Sequence, residues 1–225
     1  MTNSFESLNN PIFSALTTEH KALSQPAGCA IRYVKHVIPM AALSDGRSFS
    51  DLYKLLSPQE PIAFLTSKPL PFPSDWTIIK DIFIDQMVCA DLKPLSLHPM
   101  VQLNRADVPA MMELTSITKP GPFLEDTIRM GRFFGIKSDD GRLLAMAGER
   151  LRMNGFTEVS AVCTNPDFQG RGYAGALITF VASLILSEGK VPFLHVKTDN
   201  IGAKKLYQKL GFVFRSEIRF TMLTI

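Results

Sequence analysis

Apolar residues recur along the chain with two periods, and the second half is the more regular. Residues 159–163 are mostly apolar and predict a buried strand beginning at Phe156. A polar loop follows. Leu177, Phe180, Val181, Leu184 and Ile185 then fall at three- and four-residue spacing, the signature of one helix face. A further apolar run from Phe193 predicts a strand. Ala203, Leu206, Tyr207 and Leu210 form the face of a short helix that Asn200 can cap and Gly211 can stop. Residues 212–223 are again strand-like and predict a final hairpin.

Upstream, residues 100–103 predict a strand and 105–114 a helix, broken at Lys119-Pro120-Gly121-Pro122. Residues 123–130 predict a second helix. Residues 132–138 and 142–150 predict two strands joined by a hairpin turn at Asp139-Asp140-Gly141. The first half is less regular. Helix is expected over 11–24 and 50–56, strand over 29–37, 61–66 and 76–89, the last as one strand or two. Residues 68–73, rich in Pro, read as a loop, and 91–99 as a linker. The expected division is an N-terminal α/β domain at 1–95 and a C-terminal domain at 96–225. The fold class is α/β with a mixed, mostly antiparallel central sheet flanked by helices.

Composition narrows the function classes. With 46% hydrophobic and 20% charged residues, the chain can build a substantial core and does not resemble a disordered one. A net charge of +3 without a Lys/Arg run leaves no nucleic-acid footprint. Cys29, Cys89 and Cys163 are odd in number and far apart, which suits neither a disulfide framework nor zinc. Residues 1–10 lack a signal-peptide core, and the longest nearly apolar run, 173–186, is too short for a bilayer. The expectation is a cytoplasmic protein with no membrane partner and no metal. His20 and His36 stand alone and are expected to be structural.

The chemistry gathers in the loop before the long helix. Gly170 and Gly172 put bare backbone at its start, so N–H groups and the helix dipole can face an anion, and Arg171 adds a charge. Gly170-x-Gly172-x-x-Gly175 matches a dinucleotide fingerprint, but that motif needs its first Gly at the end of a strand, whereas residues 164–169 intervene here. A second pattern fits better. Gln169-x-x-Gly172-x-Ala174 resembles the pyrophosphate-binding motif of the GNAT superfamily of N-acetyltransferases. The stretch from Asn200 through Ala203 and Leu206-Tyr207 to Gly211-Phe212 resembles the second signature of that superfamily. The resemblance covers about residues 100–225. The N-terminal half is then either a degenerate copy of the same fold or an unrelated lid, expected to shape the acceptor pocket.

The resemblance implies an acetyl-CoA-dependent N-acetyltransferase. The acetyl group would pass directly, in a ternary complex, to a small-molecule or peptide amine. Gln169, Gly170, Arg171, Gly172, Tyr173, Ala174 and Gly175 would hold the diphosphate. Asn200, Ala203 and Tyr207 would meet the pantetheine arm, as would the backbone of Ala161, Val162 and Cys163. The chemistry needs a proton taken from the amine and one given to the departing thiolate. Tyr207 is the expected acid. Glu158, eleven positions before Gln169, is the expected base, with Glu149 as its competitor. Cys163 reads as a small buried hydrophobe and His195 as a core residue that could face the acceptor. The alternative function is an acyl-CoA-binding or regulatory module without catalysis.

Overall fold

A computed structural model of the chain describes residues 5–44, 49–95 and 98–225. The first described segment forms α1 (Pro11–Thr17), with Asn10 accepting the Phe13 N–H at its N-terminus. Strands β1 (Ser24–Ala27), β2 (Ala30–Tyr33) and β3 (Ala41–Leu43) then make a small antiparallel sheet, followed by α2 (Phe49–Tyr53). The remaining strands are β4 (Ile62–Thr66), β5 (Thr77–Cys89), β6 (Val101–Leu103), β7 (Phe133–Lys137), β8 (Leu143–Met153), β9 (Phe156–Thr164), β10 (Val191–Lys197) and β11 (Phe212–Thr224). They form one eight-stranded sheet in the order β4-β11-β5-β10-β9-β8-β7-β6. Helices α3 (Val108–Thr118), α4 (Tyr173–Ser187) and α5 (Ile201–Lys209) flank it. Among the described residues no helix is long and apolar enough to cross a membrane.

The period-2 alternation of the strands sorts side chains onto two cores. Leu194 and Val196 of β10 face α4, where they meet Leu177, Ile178, Val181 and Ile185. Phe193, the residue before Leu194 on the strand, faces the opposite way, against a core that includes Leu8, Ile12 and Leu16 of the N-terminal segment. The α4 face anticipated from spacing is therefore the buried one, with Phe180 and Leu184 at its half-buried margin.

Four expectations change. The helix expected over 11–24 ends at Thr17, and a 3-10 turn, Lys21–Leu23, leads into β1. Residues 123–130 form no α-helix; only a 3-10 turn, Thr127–Met130, is present. The Thr127 hydroxyl accepts the Leu124 N–H at 2.8 Å and donates to the Val37 carbonyl at 2.6 Å, a local alternative to helical pairing. Residues 212–223 do not fold back as a hairpin. The segment contains no Gly, Pro or Asn to make a turn. It runs as a single strand paired antiparallel to β5 on one side and β4 on the other, with a register shift between Phe214 and Ser216. Nor does the expected boundary at 95/96 separate two sheets. Strand β5 lies between β10 and β11, in the middle of the sheet that carries the C-terminal signatures. Residues 96–97, within the expected linker, lie outside the described residues.

Candidate active site

Strands β9 and β10 are the only parallel neighbours in the large sheet among the described residues, joined by a crossover through α4. Their pairing is short. It begins at Phe156 with Val191 and ends at Glu158 with Phe193, although β9 continues to Thr164 and β10 to Lys197. The strands splay beyond that point, so the later part of β9 has a free side. On its other side β9 is bulged against β8. Met146 pairs with Cys163 and Gly148 with Ser160, so Ala161 and Val162 together oppose one residue. Ala161 sits there at φ 51°, a left-handed conformation that L side chains resist.

Two clefts meet at this splay. One, of about 610 Å³, is lined by residues 168–175, by Val162, Cys163 and Thr164, and by Asn200, Gly202, Ala203, Leu206 and Tyr207. Leu95 closes one side, its methyl carbon so near Gly175 that a Cβ there would lie 2.7 Å away. The other, of about 530 Å³, opens over Ser160, Ala161, Arg150, His195 and Lys197 and is roofed by residues 117–120 at the end of α3. Val162, Cys163, Thr164, Gln169, Asn200 and Tyr207 line both.

The glycines of the first cleft are there for conformation and access. Gly170 and Gly172 have φ of 77° and 80°. A Cβ on Gly170 would meet no protein atom within 4 Å, and one on Gly172 only the His98 ring at 3.6 Å, so either would project into the open cleft. Gly172 caps α4 with no side chain, and the N–H groups of Tyr173, Ala174 and Gly175 have no partner among the described residues. Such a helix end is able to hold an anion, and Arg171 beside it adds a formal positive charge. The Arg171 guanidinium lies over the Phe168 ring, 5.0 Å from its centre. Across the cleft Asn200 caps α5 by accepting the Ala203 N–H at 3.1 Å.

Comparison with known proteins now decides the family. A solved structure from Novosphingobium aromaticivorans, assigned to the GNAT family of acetyltransferases, is 35% identical and superposes with a TM-score of 0.91. The alignment covers 97% of this chain and 98% of that one. The chain belongs to the GNAT family. The model of the FR47-like protein family matches residues 134–221. A GCN5-related N-acetyltransferase from Kribbella flavida shares the fold, with a TM-score of 0.59 at 15% identity over 94% of this chain and 95% of that one. A mycothiol acetyltransferase from Mycolicibacterium gilvum is 33% identical over 36% of this chain, and the match spans only 29% of that relative's length. A mostly antiparallel GNAT sheet also excludes the dinucleotide reading, which needs a doubly wound parallel one.

Within this GNAT site, every residue expected to bind the cofactor lines one cleft or both. Tyr207 lines both, and its hydroxyl has no hydrogen-bond partner among the described residues. Burial pushes its phenol up to about 12, so it is a proton donor at neutral pH. Cys163 is buried, and burial pushes its thiol up to about 11, which leaves it no thiolate character.

Glu158 is placed differently from the expected base. It is 1% exposed and lines neither cleft. Arg150 grips it with two bonds, Nε to Oε2 at 2.8 Å and Nη2 to Oε1 at 2.6 Å. The His195 ring adds a third at 2.7 Å. Burial alone would raise this carboxyl, but the charge of Arg150 and the His195 contact prevail and hold it at about 2. Glu149 is likewise buried, paired with the Arg132 side chain and accepting the Arg132 N–H at 3.0 Å, and it too lies outside both clefts.

His195 is both a core residue and a wall of the second cleft. Arg215 can only donate, and its Nη1 reaches the Gln86 Oε1 at 2.7 Å; the Leu8 carbonyl can only accept, and takes the Gln86 Nε2 at 3.0 Å. The Gln86 amide is thereby oriented, and its second N–H faces His195 Nε2 at 3.0 Å. That nitrogen must accept, so the Nδ1–H donates to Glu158. Gln86 of the N-terminal half stands behind His195; among the described residues, those lining that cleft begin at Ile117. Gln86 thus supports the cleft wall from behind, a non-local arrangement without a motif. Arg150 was missed for the same reason. His20 is structural, buried between the Tyr33 hydroxyl and the Met130 carbonyl, each at 2.8 Å.

Proposed function

We propose that this GNAT protein is an acetyl-CoA-dependent N-acetyltransferase. The observation that carries the reading is the open glycine cradle beside splayed strands, with the unpartnered Tyr207 hydroxyl where the two clefts meet. The mycothiol acetyltransferase relatives support acetyl transfer as the reaction, over the part of the chain that they match. In this proposal the diphosphate of acetyl-CoA rests on the N–H groups at the start of α4 and near Arg171. The pantetheine arm lies along the free side of β9, against Val162, Cys163, Asn200 and Ala203. Backbone at the Ala161 bulge polarises the thioester carbonyl.

The amine enters through the second cleft. Its nitrogen attacks the thioester carbon, a C–N bond forms and the C–S bond breaks. The sulfur leaves with the electron pair and takes the Tyr207 proton, which solvent replaces. The proton of the amine passes to water, because no carboxylate lines either cleft among the described residues. Glu158 enters the mechanism as a positioning residue. Its charge fixes Arg150 and the tautomer of His195, two groups that do line the acceptor cleft.

Calorimetric titration with acetyl-CoA, with NAD as control, tests the cradle. Acetyl-CoA should bind, NAD should not, and Gly172→Val should weaken acetyl-CoA binding by at least tenfold. No acetyl-CoA binding would overturn the reading. The lack of a cleft carboxylate favours one alternative, an acyl-CoA-binding module without catalysis. Acetyl-CoA binding without release of coenzyme A thiol for any amine in a broad panel would favour that module.

A further inference from the structure

The second cleft has a charge pattern that no short stretch of sequence contains. Three cationic side chains line it, Lys119, Arg150 and Lys197, and no Asp or Glu does among the described residues. Each comes from a different element. Lys119 ends α3 in a left-handed conformation at φ 48°, its N–H bonded to the Thr115 carbonyl at 2.8 Å. Arg150 comes from the middle of β8, and Lys197 is the last residue of β10.

These charges are not neutralised alike. Glu158 takes Nε and Nη2 of Arg150, leaving Nη1 without a partner among the described residues. Lys119 and Lys197 enter no ion pair there. Asp85, opposite Val196 in the sheet, is held instead by Lys204 at 2.5 Å and by the Thr198 hydroxyl at 3.1 Å. Asp199 does not line the cleft. The cleft therefore keeps net positive charge.

An amine that must enter this space is a cation in water, and a plain alkylammonium would be repelled. An amine that also carries a carboxylate is not. Its anionic end finds Lys119, Lys197 and the free Nη1 of Arg150, and the same cations favour the neutral form of its amine, which is the form that attacks. We propose that the acceptor is an amine bearing a carboxylate, of the amino-acid type, and that Lys119 and Lys197 select it. This inference rests on the acetyltransferase reading.

The test uses the full chain and matched acceptors: amino acids, their carboxamides and the corresponding decarboxylated amines, with coenzyme A thiol release as readout. Acetyl-CoA binding is measured by calorimetry on the same preparations, so that failure of the cofactor reading is seen separately. The expected result is a kcat/KM at least tenfold higher for the best carboxylate than for its carboxamide. The doubly reversed variant, Lys119→Glu with Lys197→Glu, should cut that preference at least tenfold and leave the acetyl-CoA Kd within about twofold. Titration of the same amino acid and amide into CoA-saturated protein should show the same order. Acetyl-CoA binding with a preference for carboxamides or plain amines would overturn the inference and leave the acetyltransferase reading standing. So would a preference that charge reversal does not move. Acetyl-CoA binding with no turnover of any member would overturn the inference and favour the module without catalysis. Absence of acetyl-CoA binding would overturn both.

Discussion

Glu158→Gln isolates the charge at the centre of the site. Glutamine has nearly the shape of glutamate, and its oxygen can still accept from His195 or Arg150. What it removes is the negative charge opposite a largely buried guanidinium. The carboxyl stands at about 2 against an ordinary value of 4.5. A difference of roughly 2.5 units corresponds to about 3 kcal/mol of stability at neutral pH. Breaking a buried pair by removing one partner costs a comparable 3–5 kcal/mol, roughly, since the surviving charge is left uncompensated. Urea unfolding at pH 7 should therefore show Glu158→Gln less stable by about 3 kcal/mol, or about 6–12 °C in Tm for a chain of this size. The pH dependence gives a second check. The folded carboxyl titrates below the unfolded one, so its contribution is complete above about 4.5 and fades as pH falls toward 2. The gap between wild type and variant should narrow at pH 3. Adding Arg150→Met should restore much of the loss by removing the orphaned charge. A gap under about 1 kcal/mol at pH 7, or one of equal size at pH 3, would refute the reasoning.

Two other substitutions read the site directly. Tyr207→Phe should leave the acetyl-CoA Kd unchanged and lower kcat by about 10²-fold, the ordinary contribution of a general acid; an unaltered kcat would remove this hydroxyl from the reaction. Ala161→Gly should fall within about 1 kcal/mol of wild type, because relief of the left-handed conformation offsets the entropy that glycine loses in a strand; thermal unfolding that shows a larger loss would mean that the bulge is not strained.

The sequence disclosed the parts of the site that depend on near neighbours. Gly170 and Gly172 could be read because an open helix start needs positive φ and no Cβ, and a few residues specify both. Asn200 and the α5 face were legible for the same reason. The polar interior was not. Glu158 meets Arg150 eight residues away and His195 thirty-seven away, and Gln86 meets His195 across 109. No periodicity encodes such pairings, so Glu158 read as a candidate base without the Arg150 and His195 contacts that hold it. Strand β5 was visible as a strand but not as the neighbour of β10 and β11, because its register is set by segments more than a hundred residues later. The expected hairpin in 212–223 failed on local grounds: no Gly, Pro, Asn or Asp is present to make its turn.

The place of β5 also fixes an order of events in synthesis. A strand thirteen residues long emerges from the ribosome well before either neighbour. Until residues 191–224 follow, both of its edges carry unpaired N–H and C=O groups, the template on which strands of other chains add. Contacts of such sequence separation also slow folding. The nascent chain is thus most exposed to misassembly in the interval between completing β5 and completing β11. Solubility during expression should depend more on the rate of that final stretch than on the stability of the finished fold.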